Sequence, residues 1–130
     1  SIGAVVSFIG YVREYNDDAK KNRLNQMDLE YYPGMTEKAL MKIELSAKSR
    51  WSLEDVFIIH RIGKLLPSDP IVAVVVASQH RENAFKACEF IIDFLKTDAP
   101  FWKKEISDHG ELWVKNRVED DKKKSSWDID

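Results

Sequence analysis

The sequence predicts an α+β fold with a largely antiparallel sheet, and three observations carry that expectation. Runs rich in β-branched and aromatic residues fall in pairs between two stretches of helical periodicity, instead of alternating one for one with helices. The run IVAVVVA at 71–77 is apolar throughout. It is far shorter than the roughly 20 residues that span a bilayer, so it reads as a buried strand. Two further strands near the C-terminus are separated by Asp-His-Gly, a turn-forming triplet suited to a hairpin.

Taken in order, residues 2–12 (IGAVVSFIGYV) predict the first strand. The polar stretch 14–23 (EYNDDAKKNR) predicts a mobile loop, and LNQMDLEYY a second strand. After PGMTEK, Thr36 is the expected N-cap, with Glu37 in the first turn. Leu40, Ile43, Ala47 and Trp51 then recur at helical spacing, so 36–50 is an amphipathic helix. EDVFIIHRIG is a third strand. PIVAVVVAS is a fourth, opened by Pro70, which fits only at a strand's start. Ser78 is the expected cap of a helix over 81–96, with Ala84, Cys88, Ile91 and Leu95 on one face and Phe85 and Ile92 flanking them. Glu82, Lys86, Glu89, Asp93 and Lys96 share its other face. Asp98-Ala99-Pro100 ends that helix, and FWKKEIS and ELWVKN form the hairpin. The charged residues from 117 onward are expected to fray. One domain over 1–116 followed by a charged tail, 117–130, is the expected organisation.

Composition narrows the function. Hydrophobic residues make up 44% of 130, enough for a real core and against disorder. Twenty basic and 22 acidic residues leave a net charge of −2, which does not favour non-specific nucleic-acid binding. Cys88 is the single cysteine, so neither a disulfide framework nor a cysteine zinc site can be built. A reducing, intracellular location is the simplest expectation, and no secretory signal is present. The chain begins at Ser1 without an initiator methionine, which leaves room for a preceding segment.

Motifs with a known mechanism are absent: no HExxH, CxxC, GxGxxG or Walker loop occurs. His60 lies in VFIIHRIG, where alternation could point it either way, and a structural role is the first reading. His109 falls in the hairpin turn. His80-Arg81 opens a helix, where free N–H groups and the dipole attract anions, so it suits a phosphate or carboxylate. The plainer alternative is a solvated first-turn arginine. Arg13 by itself is a strand-end charge, and Cys88 belongs to the core face. Lys96 sits where a cation suits the helix C-terminus, while Lys103 and Lys104 must point to opposite faces of a strand. On these grounds alone, the three lysines are ordinary surface charges.

Five blocks in order change that weighting: GAVVSFIGYVR (3–13), LEYYPGMTEKAL (29–40), HRIGKLLPSD (60–69), VASQHRENAF (76–85) and FIIDFLKTDAPFWKKE (90–105), followed by G-x-x-W-V at 110–114. The chain resembles the large, catalytic subunit of molybdopterin synthase, the MoaE family. The resemblance implies an α/β-hammerhead-type fold with two main helices and a C-terminal hairpin. It implies a sulfurtransferase of molybdenum cofactor biosynthesis that converts cyclic pyranopterin monophosphate to molybdopterin. The two sulfurs would come from the C-terminal thiocarboxylate of a small ubiquitin-like subunit whose tail threads into a pocket. It also implies a homodimer at the centre of a heterotetramer, a cytoplasmic location, and no metal or cofactor.

Carried over residue by residue, the implied substrate pocket comprises Tyr11, Val12 and Arg13, then His80 and Arg81, reaching across the dimer interface. Lys96 and Lys103 are the implied catalytic lysines, followed by Lys104 and Glu105 in the same segment. Glu105 is expected to orient Lys103 or a neighbouring cation. Lys96 is expected to shuttle protons and Lys103 to stabilise developing charge. Two departures stand out: Ser68 where a glycine is more usual, and Pro70 after it. A scaffold that only docks a ubiquitin-like sulfur carrier is the alternative function. A lone phosphate hydrolase would need a base or metal motif that the sequence lacks.

Overall fold

The structure is a computed structural model that describes residues 1–14, 23–98, 101–114 and 118–127. Most of the loop expected at 14–23, the Ala99-Pro100 break, the end of the second hairpin strand at 115–116 and the last three residues lie outside the described residues.

The chain folds as β1 (Ala4–Tyr11), β2 (Leu24–Tyr31), α1 (Met35–Arg50), β3 (Leu53–His60), β4 (Gly63–Leu65), β5 (Pro70–Ser78), α2 (Arg81–Leu95), β6 (Phe101–Ser107), β7 (Gly110–Val114) and α3 (Val118–Ser125). The α+β class, the antiparallel pairing and the hairpin are as expected. The strands, however, divide between two sheets, β1-β5-β3 and β4-β2-β6-β7. Every pairing is antiparallel. The expected third strand ends at His60, and the chain resumes at Gly63 (φ 86°) as the short β4, which pairs with β2. The division follows from β2, which pairs with the distant β6 rather than with its sequence neighbour β1.

Sheet one is covered on one face by helices. Val74 and Val76 of β5, Val56 of β3, Ile43 and Ala47 of α1, and Ala84, Ala87, Phe90 and Ile91 of α2 form the main core. The apolar β5 is the middle strand, so both its edges are paired, consistent with its near-continuous hydrophobic sequence. Gly3 is required where β1 begins. Its N–H donates to the Ser78 carbonyl at 2.9 Å, and a Cβ there would lie 2.1 Å from the Gln79 oxygen. A smaller core under sheet two holds Val12, Met27, Leu29 and Leu65, with Ile71 and Phe101 against it.

Local details differ from expectation in four places. Gly34, not Thr36, is the N-cap of α1. Thr36 is buried in the first turn, where its hydroxyl accepts the Tyr32 N–H at 2.9 Å, while Glu37 accepts the Gly34 N–H at 2.6 Å. His80, not Ser78, caps α2; the Ser78 hydroxyl accepts the His80 N–H at 3.4 Å and donates to the Ser52 carbonyl at 3.3 Å. Phe85 is exposed, whereas Asp93, placed by periodicity on the solvent face, is buried.

The reason for Asp93 is the fourth difference. The tail does not fray through 118–127 but forms α3 and then docks Trp127. The Trp127 indole N–H donates to Asp93 Oδ2 at 2.8 Å, and its ring meets Trp51 and Phe90 edge-on. Arg50 donates to the Trp127 carbonyl at 3.1 Å and lies over all three rings. Lys124 pairs with Asp98 at 2.6 Å, fastening α3 to the end of α2. Replacing Trp127 by alanine therefore removes a large ring and strands a buried carboxylate. The expected loss is about 3 kcal/mol, read as a lower denaturant midpoint.

Candidate functional site

The candidate site gathers where the end of β1, the end of α2 and the start of β6 approach one another. β6 decides which lysine enters it. Lys103 pairs across the sheet with Leu29 on one side and Val114 on the other, and cross-strand partners share a face. Leu29 is fully buried in the smaller core, so the Lys103 stem leaves the sheet beside apolar side chains and is itself half-buried. Phe101 and Glu105, two residues either way, share that face.

Lys104 occupies the opposite face. Its ammonium pairs with Glu111 at 3.1 Å and lies 5.5 Å from the Trp113 ring centre. The expectation that strand alternation separates the two lysines is met. Lys104 does not share the Lys103 pocket.

Burial is the main influence on Lys103, and it lowers the ammonium's pKa below the usual lysine range. The positive charge of Lys96 pushes further in the same direction, as does that of Arg13, while Asp120 and Glu105 oppose them. Five charged groups from β1's end, α2's end, β6 and α3 therefore converge. Glu105 lies on the same strand face as Lys103, where a carboxylate can hold the ammonium in place.

Lys96 is the C-cap of α2, its backbone N–H bonded to the Ile92 carbonyl at 3.1 Å. Its side chain lines a groove of about 650 Å³ between β1 and α2. Val6, Phe8, Phe85 and Ile92 supply apolar walls; Asp120 and Lys123 of α3 stand at the rim. Cys88 also lines the groove, but burial and the neighbouring Glu89 push its thiol pKa up to about 11. At neutral pH it stays protonated and is a poor nucleophile.

Arg13 is placed by a clamp on its neighbour. The Val12 N–H donates to the Asp69 carbonyl at 2.9 Å, and the Ser68 N–H donates to the Val12 carbonyl at 2.8 Å. Val12 itself is buried in the smaller core. Ser68 holds φ 73°, the left-handed conformation that glycine adopts without strain. Tyr11 is exposed at the bulge that ends β1.

His80 and Arg81 are not brought to this pocket within one chain. They are exposed at the N-terminus of α2, and fifteen helical residues separate them from Lys96, roughly 22 Å at about 1.5 Å per residue. Periodicity missed two neighbours. Asp120 carries no sequence signal beyond its charge, and its position depends on the Trp127 anchor. His60, left open by alternation, is half-buried and stacks on Phe101 with ring centres 3.9 Å apart. Among the described residues, no three His, Cys, Asp or Glu side chains gather as a metal site. No helix among them is long and apolar enough to cross a membrane.

Comparison with known proteins gives consistent matches. The family model described as MoaE protein matches residues 1–98. A protein named molybdopterin synthase catalytic subunit from Ralstonia nicotianae is 56% identical over 128 residues, covering 98% of this chain and 71% of its own. The solved molybdopterin biosynthesis MoaE protein from Burkholderia ambifaria superposes with a TM-score of 0.80 at 50% identity, covering 99% of this chain and 82% of its own. The molybdopterin synthase structure from Staphylococcus aureus also gives 0.80, at 39% identity over 88% of this chain and 81% of its own.

Proposed function

The chain belongs to the MoaE protein family, and on that footing we propose that it is the catalytic subunit of a molybdopterin synthase. It converts cyclic pyranopterin monophosphate to molybdopterin in the cytoplasm. It takes both sulfurs from the C-terminal thiocarboxylate of a small ubiquitin-like subunit. The observation that supports this most is the convergence of Lys96 and Arg13 on the partly buried Lys103, with Lys96 also lining a groove of about 650 Å³. Both reactants are anionic, one through its cyclic phosphate and the other through its thiocarboxylate, and such groups pair well with clustered cations.

The lysines divide the work by environment. Lys96, exposed where it lines the groove, meets the incoming thiocarboxylate and the carboxylate that leaves. Lys103, whose pKa is lowered by burial, can give up and regain a proton near neutral pH more readily than an exposed lysine. The shuttle role expected for Lys96 therefore suits Lys103 at least as well, and both are assigned to the catalytic step. Tyr11, the Val12 backbone and Arg13 border the pterin. Glu105 orients Lys103. Lys104 lines the outer wall of the same strand without entering the pocket.

His80 and Arg81 join the pocket from a second copy of the chain. The exposed face of sheet one supports such self-association. Val5, Ile9, Phe57 and Ile59 stand on the side away from the helices, Phe57 being 57% exposed, in register across β1, β5 and β3. An apolar band of that kind marks an interface. Replacing Phe57 by aspartate is expected to reduce the mass in sedimentation from that of a dimer to the single chain's 15.1 kDa.

Reconstitution tests the reading directly. The chain, a thiocarboxylated small subunit and cyclic pyranopterin monophosphate are mixed and molybdopterin is assayed. Product is expected. A folded, partner-bound chain that yields none would leave only the scaffold alternative.

A further inference from the structure

Asp93 is a carboxylate buried on the flank of α2, only 5% exposed. One of its oxygens is accounted for: Oδ2 accepts the Trp127 indole N–H at 2.8 Å. The other is not. Among the described residues, Oδ1 accepts no hydrogen bond, and no cation pairs with the carboxylate. Burying a charge against a single neutral donor costs stability. Holding Trp127 does not require it, because the amide oxygen of an asparagine would accept the same N–H. The charge and the second oxygen are what the Trp127 contact leaves unexplained.

Asp93 also lines the groove of about 650 Å³ that Lys96 lines three residues further along α2. Over those three residues the helix rises about 4.5 Å, and an extended chain advances about 3.3 Å per residue. A peptide laid along the groove with its terminal anion at the Lys96 ammonium therefore brings a main-chain N–H to Asp93 from one or two residues back. Val6, Phe8 and Ile92 make much of that path apolar, and a peptide N–H taken out of water there needs an acceptor. Two other carboxylates line the groove, but Glu89 is exposed and Asp120 is half-buried. Asp93 is the buried one.

We propose that Asp93 is a binding residue for the sulfur-carrying tail, its Oδ1 accepting a main-chain N–H of the partner's C-terminal segment just behind the group that Lys96 receives. The inference rests on the catalytic reading above and adds a register to it. A carboxylate on the main chain and a lysine on the terminal anion seat the tail in one direction and stop it at one depth. The bond is charge-assisted, so it is stronger than one to a neutral acceptor.

Asp93→Asn separates this role from the support of Trp127, because it keeps the shape and the acceptor for the indole but removes the charge. The probe is a synthetic peptide of the small subunit's C-terminal segment ending in a plain carboxylate, titrated against the folded chain. A second series of peptides replaces the last amides one at a time by esters, each deleting one N–H without adding bulk. Asp93→Asn is expected to weaken peptide binding about tenfold or more, the size of one lost hydrogen bond to a charged group. Its denaturant midpoint is expected to equal or exceed that of the wild type. One ester near the peptide's end is expected to weaken binding to the wild type by a similar factor and to matter little to Asp93→Asn. Equal affinity in Asp93→Asn, an ester penalty of the same size in both chains, or a wild type that does not bind the peptide overturns the proposal. The ester series on the wild type needs no variant: one amide singled out supports the proposal, and a flat series overturns it. Binding is read without turnover. If the wild type bound the peptide but the reconstituted synthase made no molybdopterin, the catalytic reading would fail while the Asp93 contact was still decided.

Discussion

Lys96→Ala is expected to lower molybdopterin formation by about a hundred- to ten-thousandfold, the range spanned by loss of a positioned proton-transfer or charge-stabilising group. Lys96 follows the last residue of α2, and its amide N–H completes the helix through the Ile92 carbonyl. Alanine keeps that backbone bond, and the side chain is exposed, so the fold should be unchanged. The loss should then fall on chemistry: partner binding by sedimentation stays near wild type while single-turnover product disappears. A scaffold that only docked the sulfur carrier would be indifferent to this change. Full activity in Lys96→Ala would leave the fold standing and refute the mechanism.

Lys103→Met is expected to abolish activity by about a hundred- to a thousandfold and, at the same time, to stabilise the chain. The second half follows from burial. The folded chain disfavours the Lys103 ammonium, so its pKa lies below the ordinary 10.5 that it regains on unfolding. Below the lowered value the ammonium is charged in both states, and its burial penalty is fully present. As pH rises from the lowered value towards 10.5, the unfolded chain holds more protons than the folded one, and stability climbs. Methionine has a similar length and no charge to bury. The variant should therefore show a higher denaturant midpoint at neutral pH and lack the wild type's rise in stability through that alkaline window. Equal midpoints at pH 7 would show that Lys103 is solvated. A lysine retained at a cost in stability is what a functional site requires.

Much of this architecture is legible in the residues themselves. The helix over Arg81–Leu95 announces itself by Ala84, Cys88 and Ile91 at helical spacing, and β5 by an apolar run opened by Pro70. Those signals are local. The division into two sheets is not, because the β2–β6 pairing joins segments far apart in sequence, and no period within either strand records its partner. The third helix was hidden for a different reason. VEDDKKKS has almost no apolar face, and it is held by what surrounds it: Trp127 on Asp93 and Lys124 on Asp98. Tertiary contacts overrode a composition that reads as a solvated tail.

The site was legible in part. Alternation alone placed Lys103 and Lys104 on opposite faces of β6, but could not say which face was buried. The partners Leu29 and Asp28 across the sheet supply that answer, since Leu29 belongs to a core and Asp28 does not. Asp120 and His60 lay beyond reach. One depends on the docked tail, and the other on which way an ambiguous strand turns its last residue. His80 and Arg81 remain at the far end of α2.

The central claim is that the fold selects Lys103 and not its neighbour to join Lys96. It is tested most directly by measuring single-turnover molybdopterin formation for Lys103→Ala and Lys104→Ala side by side in the reconstituted synthase. Lys104 is held by a partly exposed ion pair with Glu111, worth no more than about 1 kcal/mol, so its removal should leave the rate within a fewfold of wild type. Lys103→Ala should lose at least a hundredfold. Equal losses, or a larger loss at Lys104, would contradict the account.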